Sequence, residues 1–137
     1  MNAKRFFLAA IAASVLFAVL QYIGPNIYIQ PEYEETKVLW RSKQEVNLPL
    51  VLLADVIYGF LFTFIFAKGY QARGMAEGLR FGIYATWFVV VPQVLFHYAF
   101  QPLPSMLAAR WLAIGLGENM ALGAVVAVIY RNPAQGA

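Results

Sequence analysis

The sequence predicts an all-α membrane protein, a polytopic four-helix bundle forming one domain over residues 1–137. Three observations point there. Hydrophobic residues make up 61% of the chain and charged residues 12%, against roughly 45–50% and 25% in soluble domains. A water-covered globule of this size needs more polar surface than those charges supply, so lipid must meet much of the outside. Four apolar stretches, at about 6–23, 48–67, 81–100 and 106–130, are long enough to cross about 30 Å of hydrocarbon at about 1.5 Å per residue. Finally, the ten basic residues gather mainly in segments flanking those stretches, a membrane-topology pattern that argues against a nucleic-acid partner. The absence of cysteine excludes disulfides, thiolate nucleophiles and cysteine-held metal centres.

The first stretch follows Lys4 and Arg5, as a signal peptide also would. No small-residue cleavage site comes after it, because the chain continues Gln21, Tyr22, Ile23, Gly24, Pro25, so a first membrane span is expected. The second stretch holds only Asp55 as a charge, the third only the ionisable His97, and the last only Glu118 beyond Arg110 at its start. Four spans put both termini on one side. With that side cytoplasmic, Lys4, Arg5, Lys68, Arg73, Arg80 and Arg131 lie inside and Lys37, Arg41, Lys43 and Arg110 outside, six against four, the direction of the positive-inside tendency.

Residues 24–47 form the first outer connection. Pro31 can open a helix, Glu32, Glu34 and Glu35 suit its N-terminal end, and Lys37, Arg41 and Lys43 its C-terminal end. An interfacial helix over about 31–45 is expected, with Tyr33 and Trp40 on one face at the headgroups; a solvated loop with an aromatic anchor is the alternative. Trp40, Trp111 and Arg110 are expected as interface anchors, Arg110 either snorkelling or pairing with Glu118. Gly69, Gly74 and Gly78 around Arg73 and Glu77 read as a turn into the third span.

The halves of the chain align: Arg5–Phe6 with Arg80–Phe81, Gln21–Tyr22 with His97–Tyr98 after a one-residue slip, Asp55 with Glu118, and Lys68 with Arg131. That register predicts a parallel two-plus-two repeat of helical hairpins about the membrane normal. Chance similarity between helices built from few apolar residue types gives the same alignment.

Asp55 lies seven residues beyond Leu48 and Glu118 seven beyond Trp111, so each is expected about 10 Å below the outer boundary. Gln93 and His97 occupy one face of the third span, one turn apart. Asp55, Glu118, Asn119, Gln93, His97 and Tyr58 therefore form a candidate ligand or proton site in the outer half of the bundle. An isolated charge there costs about 2.5–3.5 kcal/mol on insertion scales, so these groups should face inward and be paired, hydrated or protonated. The competing reading makes the carboxyls interhelical hydrogen-bonding groups that specify assembly. Gly115, Asn119 and Gly123 form a small-residue stripe for close helix packing, within the chain or between copies. Pro92 frees a carbonyl near Phe88 and either kinks the third span for packing or helps shape a cavity.

One histidine and two carboxylates do not make a metal site, Ser105 and His97 lack the setting of a hydrolase triad, and Gly115-Leu116-Gly117-Glu118 lacks the rest of a dinucleotide fingerprint. No cofactor or metal is expected. Three functions remain: a noncatalytic binding or assembly component, a proton- or cation-coupled carrier using Asp55 and Glu118, and an intramembrane enzyme, in that order. The partners expected are membrane lipid, further copies or a larger membrane complex, and a small apolar ligand or cation. With Ala72-Arg73-Gly74 and Glu77-Gly78-Leu79-Arg80-Phe81-Gly82 entering the third span, the layout resembles small four-helix bacterial inner-membrane proteins. The resemblance covers mostly the last ninety residues. It implies an inner-membrane location and no particular activity or site residue.

Overall fold

The computed structural model describes residues 2–28 and 30–131. Helix α1 spans Ala3–Ile23, opened by the Asn2 side chain, whose Oδ1 accepts from the Arg5 N–H at 3.2 Å; this occupies one of the N–H groups a helix start leaves open. It runs into a π turn, Gly24–Tyr28. Helix α2, Gln30–Glu35, and a 3₁₀ turn, Lys37–Leu39, follow. Helix α3, Leu48–Gly69, starts at Asn47, which accepts from the Leu50 N–H, with Pro49 in the first turn where no N–H is needed. The third span, Met75–Phe100, is composite: α4 Met75–Ala85, a π turn Thr86–Val90, and α5 Val91–Phe100. Helix α6, Ser105–Tyr130, completes the order.

Four of these helical segments are long and apolar enough to cross a membrane, so the molecule is an all-helical integral membrane protein by length and composition. The outward faces agree with that reading. Phe7, Leu8, Ile11 and Val15 of α1, Leu52 and Val56 of α3, and Trp87 and Phe88 of the third span are all exposed, a continuous apolar surface suited to lipid.

The helices pair as two hairpins, α1 with α3 and α4–α5 with α6, joined chiefly by α1 against α6. Helix α3 barely meets α4. A two-fold repeat would make those two contacts equivalent, and in this molecule one is closed and the other open. Within each hairpin, small residues set the close approach. A Cβ on Gly78 would fall on the Gly123 carbonyl, one on Gly82 on the backbone of Asn119, and one on Gly59 on Ser14, so the backbones approach as only glycine allows.

The end formed by residues 24–47 and 101–104 is termed the connection end, and the opposite one the terminal end. Toward the terminal end, Ala9, Ala13, Phe62, Phe66, Leu122 and Val126 form the main apolar core. The turn from α3 to α4 is held there by the Glu77 carboxylate, which accepts from the backbone N–H groups of Gln71 at 2.6 Å and Arg73 at 2.8 Å. At the connection end Leu103 and Leu107 pack beneath Tyr33, Trp40 and Trp111. A polar layer separates the two cores.

The connection departs from the expected helix over 31–45. Helix α2 ends at Glu35, one 3₁₀ turn follows, and residues 41–47 carry no further helix. Thr36 and Val38 are β-branched and favour helix weakly. The Thr36 hydroxyl donates back to the Glu32 carbonyl at 2.8 Å, and the chain then turns so that Trp40 reaches inward instead of lying along a helix face.

Candidate functional site

The polar layer is built from four spans. On α6, Glu118 and Asn119 are buried at 8% and 2% exposure. Asn119 lies opposite Gly82 because no side chain intervenes there, and its Nδ2 donates to Thr86 Oγ1 at 3.2 Å. Thr86 in turn donates to the Gly82 carbonyl at 2.9 Å. From α3, the Tyr58 hydroxyl donates to Asn119 Oδ1 at 2.6 Å, its ring stacked on Phe17 of α1 at 4.4 Å. This chain of bonds ties three of the spans together at one level.

The acids lie beside that chain. Glu118 Oε2 accepts from Gln21 Nε2 of α1 at 3.5 Å, a long bond at the limit of useful geometry. Asp55, one turn before Tyr58 on α3, is 6% exposed and makes no hydrogen bond or ion pair among the described residues. The two carboxylates border one hollow.

Two hollows meet at Glu118. The gap between α3 and the third span is a groove of about 800 Å³ bordered by Asp55, Tyr58, Glu118 and Asn119, with Lys43 at its rim. Beneath the connection is a smaller chamber of about 210 Å³, bordered by Tyr33, Trp40, His97, Trp111 and Glu118. Gln21, Val90, Gln93 and Glu118 border both. The π turn matters to this opening. Val91 N–H bonds the Thr86 carbonyl, five residues back, because Pro92 has no N–H and its ring clashes with the carbonyl four residues before it. The widened turn sets Val90 between the two hollows, against Gly115.

The structure thus brings together Asp55, Glu118, Asn119 and Tyr58, with Gln93 between the hollows and His97 at the far side of the chamber, its ring edge-to-face with Trp111 at 5.8 Å. Gly115 faces Val90 and Gly123 faces Gly78, so the small-residue stripe meets the third span of the same chain. The aromatic anchors fold inward. Trp40 packs edge-to-face on Tyr33 at 5.3 Å and on Trp111 at 5.9 Å, and Trp111 Nε1 donates to the Tyr33 hydroxyl at 3.2 Å. Burial raises the Tyr33 phenol above its ordinary value, opposed by that bond, so it stays neutral. Arg110 turns to Glu32, at 3.1 Å, and not to Glu118; α2 places a buried carboxylate nearer to it than α6 does.

Sequence reasoning passed over Thr86 and Gln21 as site groups and Gly78 and Gly82 as packing positions. The signal was present: Gly74, Gly78, Gly82 and Thr86 recur every four residues, a small-residue stripe to match that of α6. Among the described residues no group of three or more His, Cys, Asp or Glu side chains is placed to hold a metal ion. No protein-family model, curated protein or solved structure matches the chain.

Proposed function

We propose that the protein is a noncatalytic binding component of the membrane, which admits a small ligand from the connection end to the polar site around Asp55 and Glu118. One observation carries this reading: two carboxylates from different hairpins border an open groove and are not sealed into a hydrogen-bonded knot. Intramembrane carboxyls are costly unless they are paired, hydrated or bound to something. The work of holding helices together falls instead to Tyr58, Asn119 and Thr86, whose bonds join the spans without either acid.

The unpartnered state of Asp55 favours a second reading, a proton- or cation-coupled carrier in which the acids exchange a proton as the ligand enters. An enzyme has less support. His97 and Glu118 border one chamber, yet among the described residues no serine or threonine borders it with them to serve as nucleophile. The same proposal places the protein in a cell membrane, the bacterial inner membrane, with both termini cytoplasmic, supported by the basic residues near the terminal end. Its partners there are lipid and, in an assembly role, further copies or a larger complex.

Reconstituted protein tests these readings through Asp55→Asn and Glu118→Gln. A binding component keeps its fold in both variants and loses ligand, while the wild type moves no protons when ligand is added. Ligand-driven, pH-dependent flux in the wild type that vanishes in folded variants identifies the carrier. Collapse of both variants, in a wild type that retains nothing in a ligand screen, overturns the proposal and makes the acids packing groups.

A further inference from the structure

We propose that the chamber beneath the connection binds a quaternary ammonium group, with Tyr33, Trp40 and Trp111 as its aromatic cage and Glu118 as its counter-charge. The inference rests on the reading that Glu118 faces a ligand and names the class of that ligand.

The chamber's walls carry the argument. Tyr33 and Trp40 meet edge-to-face at 88° and Trp40 and Trp111 at 82°, and all three residues border the one space. Their polar edges are already engaged: Trp40 Nε1 donates to Thr36 Oγ1 at 2.9 Å and Trp111 Nε1 to the Tyr33 hydroxyl. The rings are thereby fixed in place before any ligand arrives, which lowers the ordering cost of binding. Such rings attract a cation through the negative charge of their faces, most strongly where water is displaced.

Charge and size select the guest further. Among the described residues, Glu118 has as its only hydrogen bond the long one from Gln21, and no lysine or arginine borders the chamber. Asp55 lies outside the chamber, in the adjoining groove. The other titratable groups bordering the chamber are Tyr33 and His97. At about 210 Å³ the space exceeds the roughly 150 Å³ that accommodates benzene in an apolar protein cavity, ample for a nitrogen carrying four small alkyl groups. A primary ammonium needs three acceptors to replace its water, which aromatic walls do not supply; a quaternary one needs none.

Quaternary ammonium reaches such a site from two sources, a free solute or a choline headgroup. The groove runs from Val51 and Leu52 on the lipid-facing side to Glu118, so a headgroup has a lateral way in.

Calorimetric titration of the full chain in nanodiscs of phosphatidylglycerol and phosphatidylethanolamine tests the proposal. The probes are tetramethylammonium chloride, ammonium chloride, and neopentyl alcohol, which has similar bulk without charge. Tetramethylammonium should bind saturably and at least about tenfold more tightly than either comparator. Trp40→Leu and Trp111→Leu should each weaken it by roughly tenfold, with the Phe replacements retaining part of the affinity, and Glu118→Gln should weaken it as well. Adding phosphatidylcholine to the discs assigns the source: competition identifies the headgroup, and undiminished binding the free solute. The cage is overturned if the wild type does not prefer tetramethylammonium to neopentyl alcohol, or if either Leu variant binds it unchanged. Should the Leu variants fail to fold, the wild-type selectivity and the Phe variants decide. A ligand of another class that depends on Glu118 would sink the cage and leave the binding function standing; no Glu118-dependent ligand at all would sink both.

Discussion

Asn119 is where three spans converge. Almost wholly buried, it accepts from Tyr58 on α3 and donates to Thr86 in the third span, so both ends of its amide are satisfied. Interhelical hydrogen bonds in membranes average about 0.6 kcal/mol and reach about 1.7. Tyr58→Phe is therefore expected to lower stability within that range, and Asn119→Leu to lower it further because it removes the bonds to both Tyr58 and Thr86; equilibrium unfolding of the reconstituted protein reads both. At this scale the sequence was legible wherever polarity was conspicuous. Asp55, Glu118 and Asn119 stand out against apolar neighbours. Thr86 does not, because a threonine that donates to its own helix backbone is at home in any span, and Gln21 lies near a span end where a polar residue needs no explanation.

Among the elements, the glycine faces decide which helices touch. Gly78→Ala drives a methyl group into the Gly123 carbonyl and should cost about 1–3 kcal/mol as overpacking. Gly117 is the control. It sits on the same helix as Gly123 with no atom within 4 Å of where a Cβ would stand, so Gly117→Ala should be neutral or gain up to about 1 kcal/mol from helix propensity. Opposite signs in thermal unfolding are the expected outcome. The connection was legible only in part, since charge order along 31–45 favours a helix while Thr36 and the inward turn of Trp40 end it early. The Glu32–Arg110 pair should hold α2 over the chamber without carrying the fold, because Arg110 is 42% exposed and water screens such pairs. Glu32→Ala is accordingly expected to speed amide hydrogen exchange over residues 30–40 while leaving the melting temperature within a few degrees of wild type.

Over the whole molecule, four spans and their approximate limits could be read from hydropathy, since length and apolar content alone define a span. The halves align in sequence, yet α1 closes on α6 while α3 stands away from α4. Gly78 and Gly82 hold the third span close on α6, while no such close approach joins it to α3 among the described residues. The open side is the groove. The absence of native cysteine makes orientation testable with single replacements. In intact cells Ser42→Cys should react with a membrane-impermeant thiol reagent, whereas Ala72→Cys should react only after lysis; the reverse pattern would place both termini outside.

The central claim is that Asp55 and Glu118 face one groove that is open at the connection end. It is tested most directly by placing a single cysteine at each position and measuring its modification by a small charged methanethiosulfonate in sided vesicles, with Leu61→Cys on the lipid face as reference. Both site cysteines should react from the connection side, much faster than the reference. Reference-like rates at both positions, or entry to the two from opposite sides, would contradict the shared groove.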